Sequence, residues 1–345
     1  MATSNRKIKT AFFGTSSDEE KYIKGLIKRD QILVEATFYR EPVSPEILPD
    51  KRDFEIISVF VDCNVSKKVI EVFPNLKCIA TRSTGYDHID LVTAKERKIL
   101  VASVPAYGEN TVAEFTFGLI LNLSRKIGEA YDQVRNTGSW NTDGLLGFDL
   151  KGKTLGVVGT GRIGRHVIRI AQGFEMNVVA FDAFPDKEYE KKSGFRYAPL
   201  GELLERSDIV TLHVPYMKET HHLIDAKALA KIKKGAYLVN TSRGAVVDTE
   251  ALIYALSTKR IAGAGLDVLE EEGVIKDELD FLAHGHPAEH NMKIILADHA
   301  LIDMPNVIVT PHNAFNTREA LNRILDTTLS NISTFIAGKP ENLIK

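Results

Sequence analysis

The chain is poor in the features that mark secreted, membrane or nucleic-acid-binding proteins. It has two cysteines, Cys63 and Cys78, in 345 residues. That is too few for a disulfide framework, and each lies in an apolar, strand-like run, so both are expected as reduced side chains of a cytoplasmic protein. Charge of either sign is not in excess: 44 Lys and Arg stand against 46 Asp and Glu, a formal net charge of −2. Nucleic acid and anionic membrane surfaces are therefore not expected partners. No apolar run approaches the length of a membrane span. The first ten residues carry Arg6, Lys7 and Lys9 and lack the apolar core of a signal peptide. Repeats and low-complexity tracts are missing as well. What is there is ordinary globular material, 44% hydrophobic and 26% charged, in a length that suits two domains at about 150 residues each.

Residues 1–104 alternate strand-like runs (10–13, 33–39, 55–61, 76–81 and 100–102) with amphipathic stretches such as 19–29 and 67–73. This pattern predicts a parallel sheet with flanking helices. The stretch 110–126, NTVAEFTFGLILNLSRK, reads as a helix capped by Asn110 or Thr111, with Arg125 and Lys126 at its end. Apolar residues cover most of its surface, so burial between domains or subunits is expected. Residues 136–149, with the single tryptophan Trp140, read as a loop. A second α/β series then places strands at 154–158, 177–181, 209–213, 236–240, 262–267 and 307–309, with helices at 162–173 and 226–231 and a last one at 317–336.

Gly159, Gly161 and Gly164 in GVVGTGRIG follow a strand and open a helix. The pattern alone is weak, but this context makes it a dinucleotide-binding fingerprint. The first glycine permits a tight turn, the second a close approach of backbone to pyrophosphate, and the third close helix–strand packing. The N–H groups of Gly161, Arg162 and Ile163 then face phosphate oxygens from a helix N-terminus. Asp182 ends the next strand, where a carboxylate accepts hydrogen bonds from the adenosine ribose and repels a 2′-phosphate, so NAD is the expected cofactor.

Arg243, Glu272 and His312 each follow a later strand of the second series. In an open α/β sheet ligands bind beyond the carboxyl ends of the strands, so the three are expected to converge. Their types suit hydride exchange between an alcohol and a ketone. Histidine moves the proton, arginine grips a carboxylate in a bidentate fork, and a carboxylate beside the histidine orients the ring.

The sequence resembles the D-isomer-specific 2-hydroxyacid dehydrogenases, and within them the D-lactate dehydrogenase branch, over nearly its whole length. The resemblance rests on RSTGYDHID at 82–90, VPAYGENTVAE at 104–114, GTGRIG at 159–164, NTSRGAVVD at 240–248, GLDVLEEE at 265–272 and TPHNAF at 310–315. It implies a Rossmann NAD-binding domain over 105–312 and a smaller flavodoxin-like α/β substrate domain from 1–104 and 313–345. It also implies His312 as acid/base, Glu272 as its support and Arg243 on the substrate. Asp267 is implied at the nicotinamide side, with Val214, Pro215 and Thr241 as further cofactor contacts. Backbone groups of Thr84 and Gly85 are implied for the substrate carboxylate, Tyr107 and Phe315 beside the substrate, and the (R) configuration for the product. A homodimer through the nucleotide domain follows from the same resemblance.

Three readings stay open: reduction of pyruvate, favoured by Phe315; another reaction of the same family, on hydroxypyruvate, a branched-chain 2-oxo acid or phosphite, decided by a first-domain wall near Phe60 and Val61; and NAD(H) sensing without turnover. His284, His286, His290 and His299 suggest a metal cluster, but the segment is loop-like and has no cysteine partner, so no metal is expected.

Overall fold

The structure, a computed structural model, describes residues 6–272 and 291–344. The chain divides into two compact units, 1–107 with 317–345, and 108–316. The crossings fall a few residues past the positions 104 and 312 read from the sequence.

In the first unit five strands, β1 (Ile8–Phe12), β2 (Val34–Phe38), β3 (Ile56–Val59), β4 (Cys78–Thr81) and β5 (Leu100–Ala102), form a parallel sheet in the order β2-β1-β3-β4-β5. That is the flavodoxin-like order. β3 and β4 are buried along their whole length because both faces of the sheet are covered, as a parallel sheet requires. Phe12, Ile56, Cys78 and Ala80 face one side and pack with Ile23 and Leu26 of helix Ser17–Arg29 and with Leu325, Leu329 and Ile332 of helix Arg318–Ile336. Ala11, Ile57 and Ile79 face the other side, over Val69, Ile70, Phe73 and Ala94. The C-terminal helix therefore completes the core of the first unit. Helix Ser17–Arg29 begins with a full capping box between Ser16 and Glu19.

Both cysteines are buried and free. Cys63 lies in a turn beyond β3, not in the strand-like run expected from the sequence. Burial pushes the Cys78 thiol up to about 12, which leaves it inert at neutral pH.

Among the described residues the second unit carries seven parallel strands: β6 (Thr154–Val158), β7 (Asn177–Phe181), β8 (Arg196–Tyr197), β9 (Ile209–Leu212), β10 (Ala236–Asn240), β11 (Ile261–Leu266) and β12 (Val307–Val309). Their order is β12-β11-β10-β9-β6-β7-β8. The order reverses between β6 and β9, and that switch point is where a doubly wound sheet opens a crevice for a dinucleotide. Central β9 is wholly buried, whereas edge strand β12 is only half-buried.

Two expectations are corrected here. The long apolar helix spans Glu109–Arg125 and starts on Gly108, with no side-chain cap from Asn110 or Thr111. Its Phe117, Leu119 and Ile120 are covered within their own unit, by helix Arg162–Gly173 and by β10 and β11. The sheet face supplies the cover that the sequence reading assigned to a domain or subunit boundary. The second correction concerns 136–149: its first residues belong to helix Ile127–Thr137, which ends on Gly138 in a left-handed conformation, and the irregular stretch begins after it.

Candidate active site

The glycine fingerprint sits at the end of β6. Gly159 has φ +95°, which side-chain-bearing residues rarely adopt. A β-carbon on Gly164 would lie 2.0 Å from the Gly159 carbonyl oxygen, so helix Arg162–Gly173 rests directly on the strand end. Around Gly161, by contrast, nothing stands within 4 Å of that added carbon. Gly161 is the N-cap of the helix, and no acidic side chain occupies the first turn. The N–H groups of that turn suit a pyrophosphate in geometry and in sign.

Asp182, just past β7, is held in place by the fingerprint itself. Its Oδ2 accepts hydrogen bonds from Thr160 N at 2.7 Å and from the Thr160 hydroxyl at 2.8 Å, and its Oδ1 accepts from Phe184 N at 2.9 Å. Around it Tyr197 bonds the Thr160 hydroxyl at 2.7 Å, and Arg165 bridges Asp186 at 2.8 Å while lying over the Tyr189 ring. These braces were not read from the sequence, because nothing in spacing marks a residue that acts by holding a neighbour. Arg162 reaches toward Glu109, at 3.6 Å, and Ile163 is half-buried beside Gly164. Val214 and Pro215 follow β9, and Thr241 follows β10, where its hydroxyl meets that of Thr116 at 3.0 Å.

Arg243, Glu272 and His312 leave three successive neighbours of the sheet, β10, β11 and β12. The chain turns after β10 on Asn240, whose Oδ1 accepts from Ser242 N and Oγ and whose Nδ2 donates to the Arg243 carbonyl at 2.9 Å. The sequence reading missed this residue. Glu272 Oε1 lies 2.7 Å from His312 Nδ1, and its Oε2 accepts from Leu269 N at 3.2 Å. The carboxylate is thus held on both oxygens, and Nε2 of the ring stays available for proton exchange.

His312 itself has φ +50°, a conformation that costs free energy unless its surroundings impose it. Asp267 imposes it. The Asp267 carbonyl accepts from His312 N at 2.8 Å, and its buried carboxylate takes hydrogen bonds from Thr310 Oγ1 at 2.6 Å and from Asn313 N and Ala314 N at 2.8 Å each. Burial pushes this carboxyl up, against the pull of those bonds. In the described contacts Asp267 serves the 310–314 loop; the sequence reading assigned it to the nicotinamide. Phe315 stands edge-on to the His312 ring, with centroids 6.3 Å apart.

In the first unit, Thr84 donates its hydroxyl to the Val104 carbonyl at 2.7 Å, and Ser83 Oγ donates to the Gly85 carbonyl at 2.6 Å. The loop is therefore anchored, and Thr84 is exposed. The Tyr107 carbonyl accepts from Arg323 at 2.6 Å. Behind the loop, buried Arg82 donates to the Phe13 and Gly14 carbonyls and lies over the Phe60 ring. His284, His286 and His290 lie outside the described residues, while His299 is on helix Met292–Asp303.

That helix also carries Asp298, fully buried, whose Oδ2 accepts from Glu271 N at 2.9 Å. Burial raises its carboxyl to about 6. A carboxyl raised in the folded state destabilises progressively as pH climbs from its ordinary value to the raised one, and fully above it. Asp298→Asn is therefore expected to raise the thermal midpoint at pH 8, with the gain shrinking between pH 6 and pH 4. A midpoint difference that does not vary with pH in melts of the two proteins contradicts this.

A doubly wound sheet with an NAD-type fingerprint and a histidine–glutamate pair at its carboxyl edge defines a nicotinamide-dependent oxidoreductase. The family model described as D-isomer-specific 2-hydroxyacid dehydrogenase, NAD-binding domain, matches residues 117–314. A 2-hydroxyacid dehydrogenase homolog of Zymomonas mobilis is 40% identical over 314 residues, covering 89% of this chain and 92% of the relative. A glyoxylate reductase of Korarchaeum cryptofilum is 36% identical over 308 residues, covering 88% and 86%. Among solved structures, D-lactate dehydrogenase of Aquifex aeolicus, complexed with NAD and lactic acid, superposes with a TM-score of 0.84 at 36% identity, covering 96% of each chain. The chain belongs to the D-isomer-specific 2-hydroxyacid dehydrogenase family. It is an NAD-dependent enzyme, and among its described residues no helix is long and apolar enough to cross a membrane.

Proposed function

We propose that the protein reduces a small 2-oxo acid, pyruvate before others, to the (R)-2-hydroxy acid, reversibly. The observation that carries the reading is the 2.7 Å contact between Glu272 Oε1 and His312 Nδ1. A ring held there by a carboxylate carries its other proton on Nε2, where it can be given to a carbonyl oxygen and taken back in the reverse direction. Bound NADH supplies the hydride to the carbonyl carbon. Arg243 takes the substrate carboxylate in its guanidinium fork and polarises the carbonyl. The anchored backbone at Thr84 and Gly85 offers N–H groups to that carboxylate, and Tyr107 and Phe315 set the room for the side chain. The cofactor is held by Gly159, Gly161, Arg162, Ile163, Gly164 and Asp182, with Val214, Pro215, Thr241 and Asp267 lining the strand ends.

Pyruvate is preferred over larger acids because Phe315 stands beside His312 and favours a small side chain. A relative named glyoxylate reductase keeps a still smaller acid in view. The test is NADH oxidation with pyruvate, glyoxylate, hydroxypyruvate and a branched-chain 2-oxo acid, with chiral analysis of the product. Pyruvate giving the highest kcat/KM and an (R) product is the expected result. Preference for another acid replaces the substrate but keeps the chemistry, and no turnover despite NADH binding favours a sensing role.

The protein acts as a cytoplasmic homodimer. Helix Ile127–Thr137 has no buried residue. Its Ile127, Tyr131 and Val134, with Trp140 and Leu146 at 89% and 91% exposure, leave an apolar face that a second copy would cover. Sedimentation equilibrium giving the monomer mass, or a dimer that survives Trp140→Asp with Leu146→Asp, removes this interface.

A further inference from the structure

A second histidine–glutamate pair stands two residues from the first on the same segment. His222 Nε2 lies 2.8 Å from Glu270 Oε1, and the Thr249 hydroxyl donates to Glu270 Oε2 at 2.9 Å. Glu270 is mostly buried and His222 half-buried. Like His312, His222 occupies left-handed backbone, at φ +49°, so its placement is also imposed by its surroundings.

The backbone around this pair links the two halves of the catalytic apparatus. His222 N donates to the Ala245 carbonyl at 2.8 Å, which ties it to the turn that carries Arg243. On that turn a β-carbon at Gly244 would lie 2.1 Å from the Leu269 carbonyl carbon and oxygen, and 2.4 Å from Glu270 N. The Arg243 turn and the Leu269–Glu270 peptide therefore touch backbone to backbone. From there Leu269 N holds Glu272 Oε2, and Glu272 Oε1 holds His312. Asp298 fixes the peptide between, through Glu271 N.

We propose that His222 and Glu270 are a positioning pair, which sets the spacing between Arg243 and the Glu272–His312 pair. The inference rests on the catalytic roles proposed above for those three residues. The pair closes a circuit that packing leaves open: Gly244 gives contact without direction, and the hydrogen bond from His222 to Glu270 supplies the direction. Hydride transfer is sensitive to displacements of about 1 Å between the groups that hold substrate and the group that moves the proton. Slack in this circuit therefore lowers kcat and leaves the cofactor crevice, at β6 and β7, untouched.

The test uses His222→Asn in the full-length enzyme. Asparagine accepts left-handed backbone but is too short to reach Glu270. The variant is expected to lose roughly tenfold in kcat for the preferred 2-oxo acid, with the NADH dissociation constant unchanged. Glu270→Gln, which weakens the pair from the other side, is expected to do the same. In a Glu272→Gln background His222→Asn is expected to add less than its loss in the wild type, since part of its effect passes through Glu272. Wild-type kcat in the folded His222→Asn enzyme, or losses that multiply independently in the double variant, overturns the inference and leaves the proposed function standing. A wild-type protein that turns over no 2-oxo acid overturns both.

Discussion

His312→Asn is expected to lower kcat by roughly 10²–10⁴-fold, the range that a positioned general acid contributes, while NADH binds as before. Asparagine is the informative replacement because residue 312 sits at φ +50°. Alanine would add backbone strain to the loss of the imidazole, and the two effects would be confounded. With asparagine the 310–314 loop keeps the hydrogen bonds it donates to Asp267, and Glu272 loses its ring partner. Stopped-flow mixing with NADH and the 2-oxo acid measures hydride transfer directly, and fluorescence titration measures cofactor affinity. If transfer proceeds at near wild-type rate, the proton comes from another group and the role proposed for His312 fails. If affinity for NADH falls in step with kcat, the variant has disturbed the sheet edge and not the proton path.

Gly164→Ala is expected to be nearly as damaging, by a different route. The new methyl group would stand 2.0 Å from the Gly159 carbonyl oxygen, which is backbone and cannot rotate aside. Helix Arg162–Gly173 must then lift off β6. Overpacking of this kind costs about 1–3 kcal/mol, and the first-turn N–H groups leave the positions in which they face a pyrophosphate. Thermal midpoint and NADH affinity are expected to fall together. Gly161→Ala separates the two effects, because its methyl group would meet nothing within 4 Å. That variant is expected to keep the wild-type midpoint and still lose NADH affinity, since the open space is the space for the ligand. Equal NADH affinity in Gly161→Ala and wild type would mean that the phosphates bind elsewhere.

The strands were the most legible part of the chain. β5, β6, β7, β10 and β12 begin and end where alternation of apolar runs and turn residues puts them, because buried parallel strands are nearly pure apolar runs. Helices with weak apolar faces were harder. Leu91–Glu96, Lys187–Ser193 and Leu200–Arg206 are each seven residues or fewer, too short for a period of 3.6 to stand out. Helix Ile127–Thr137 buries nothing, so its own unit leaves no core-facing stripe to read. At the site, residues with chemistry of their own were visible: Arg243, Glu272 and His312 stand at strand ends, and the latter two meet. Asn240, Thr160, His222 and Glu270 were not, because each acts by holding a neighbour, and spacing along the chain does not encode a hydrogen bond across 22 or 48 residues.

The bond between Thr160 and Asp182 also shapes how this enzyme could evolve. On the role proposed for Asp182, any replacement that admits a phosphate on the adenosine ribose also cuts loose Thr160 in the glycine turn. A lineage changing its coenzyme would first pass through a variant that grips neither dinucleotide well. The two positions are coupled, so selection for the other coenzyme has to cross a valley between the two preferences.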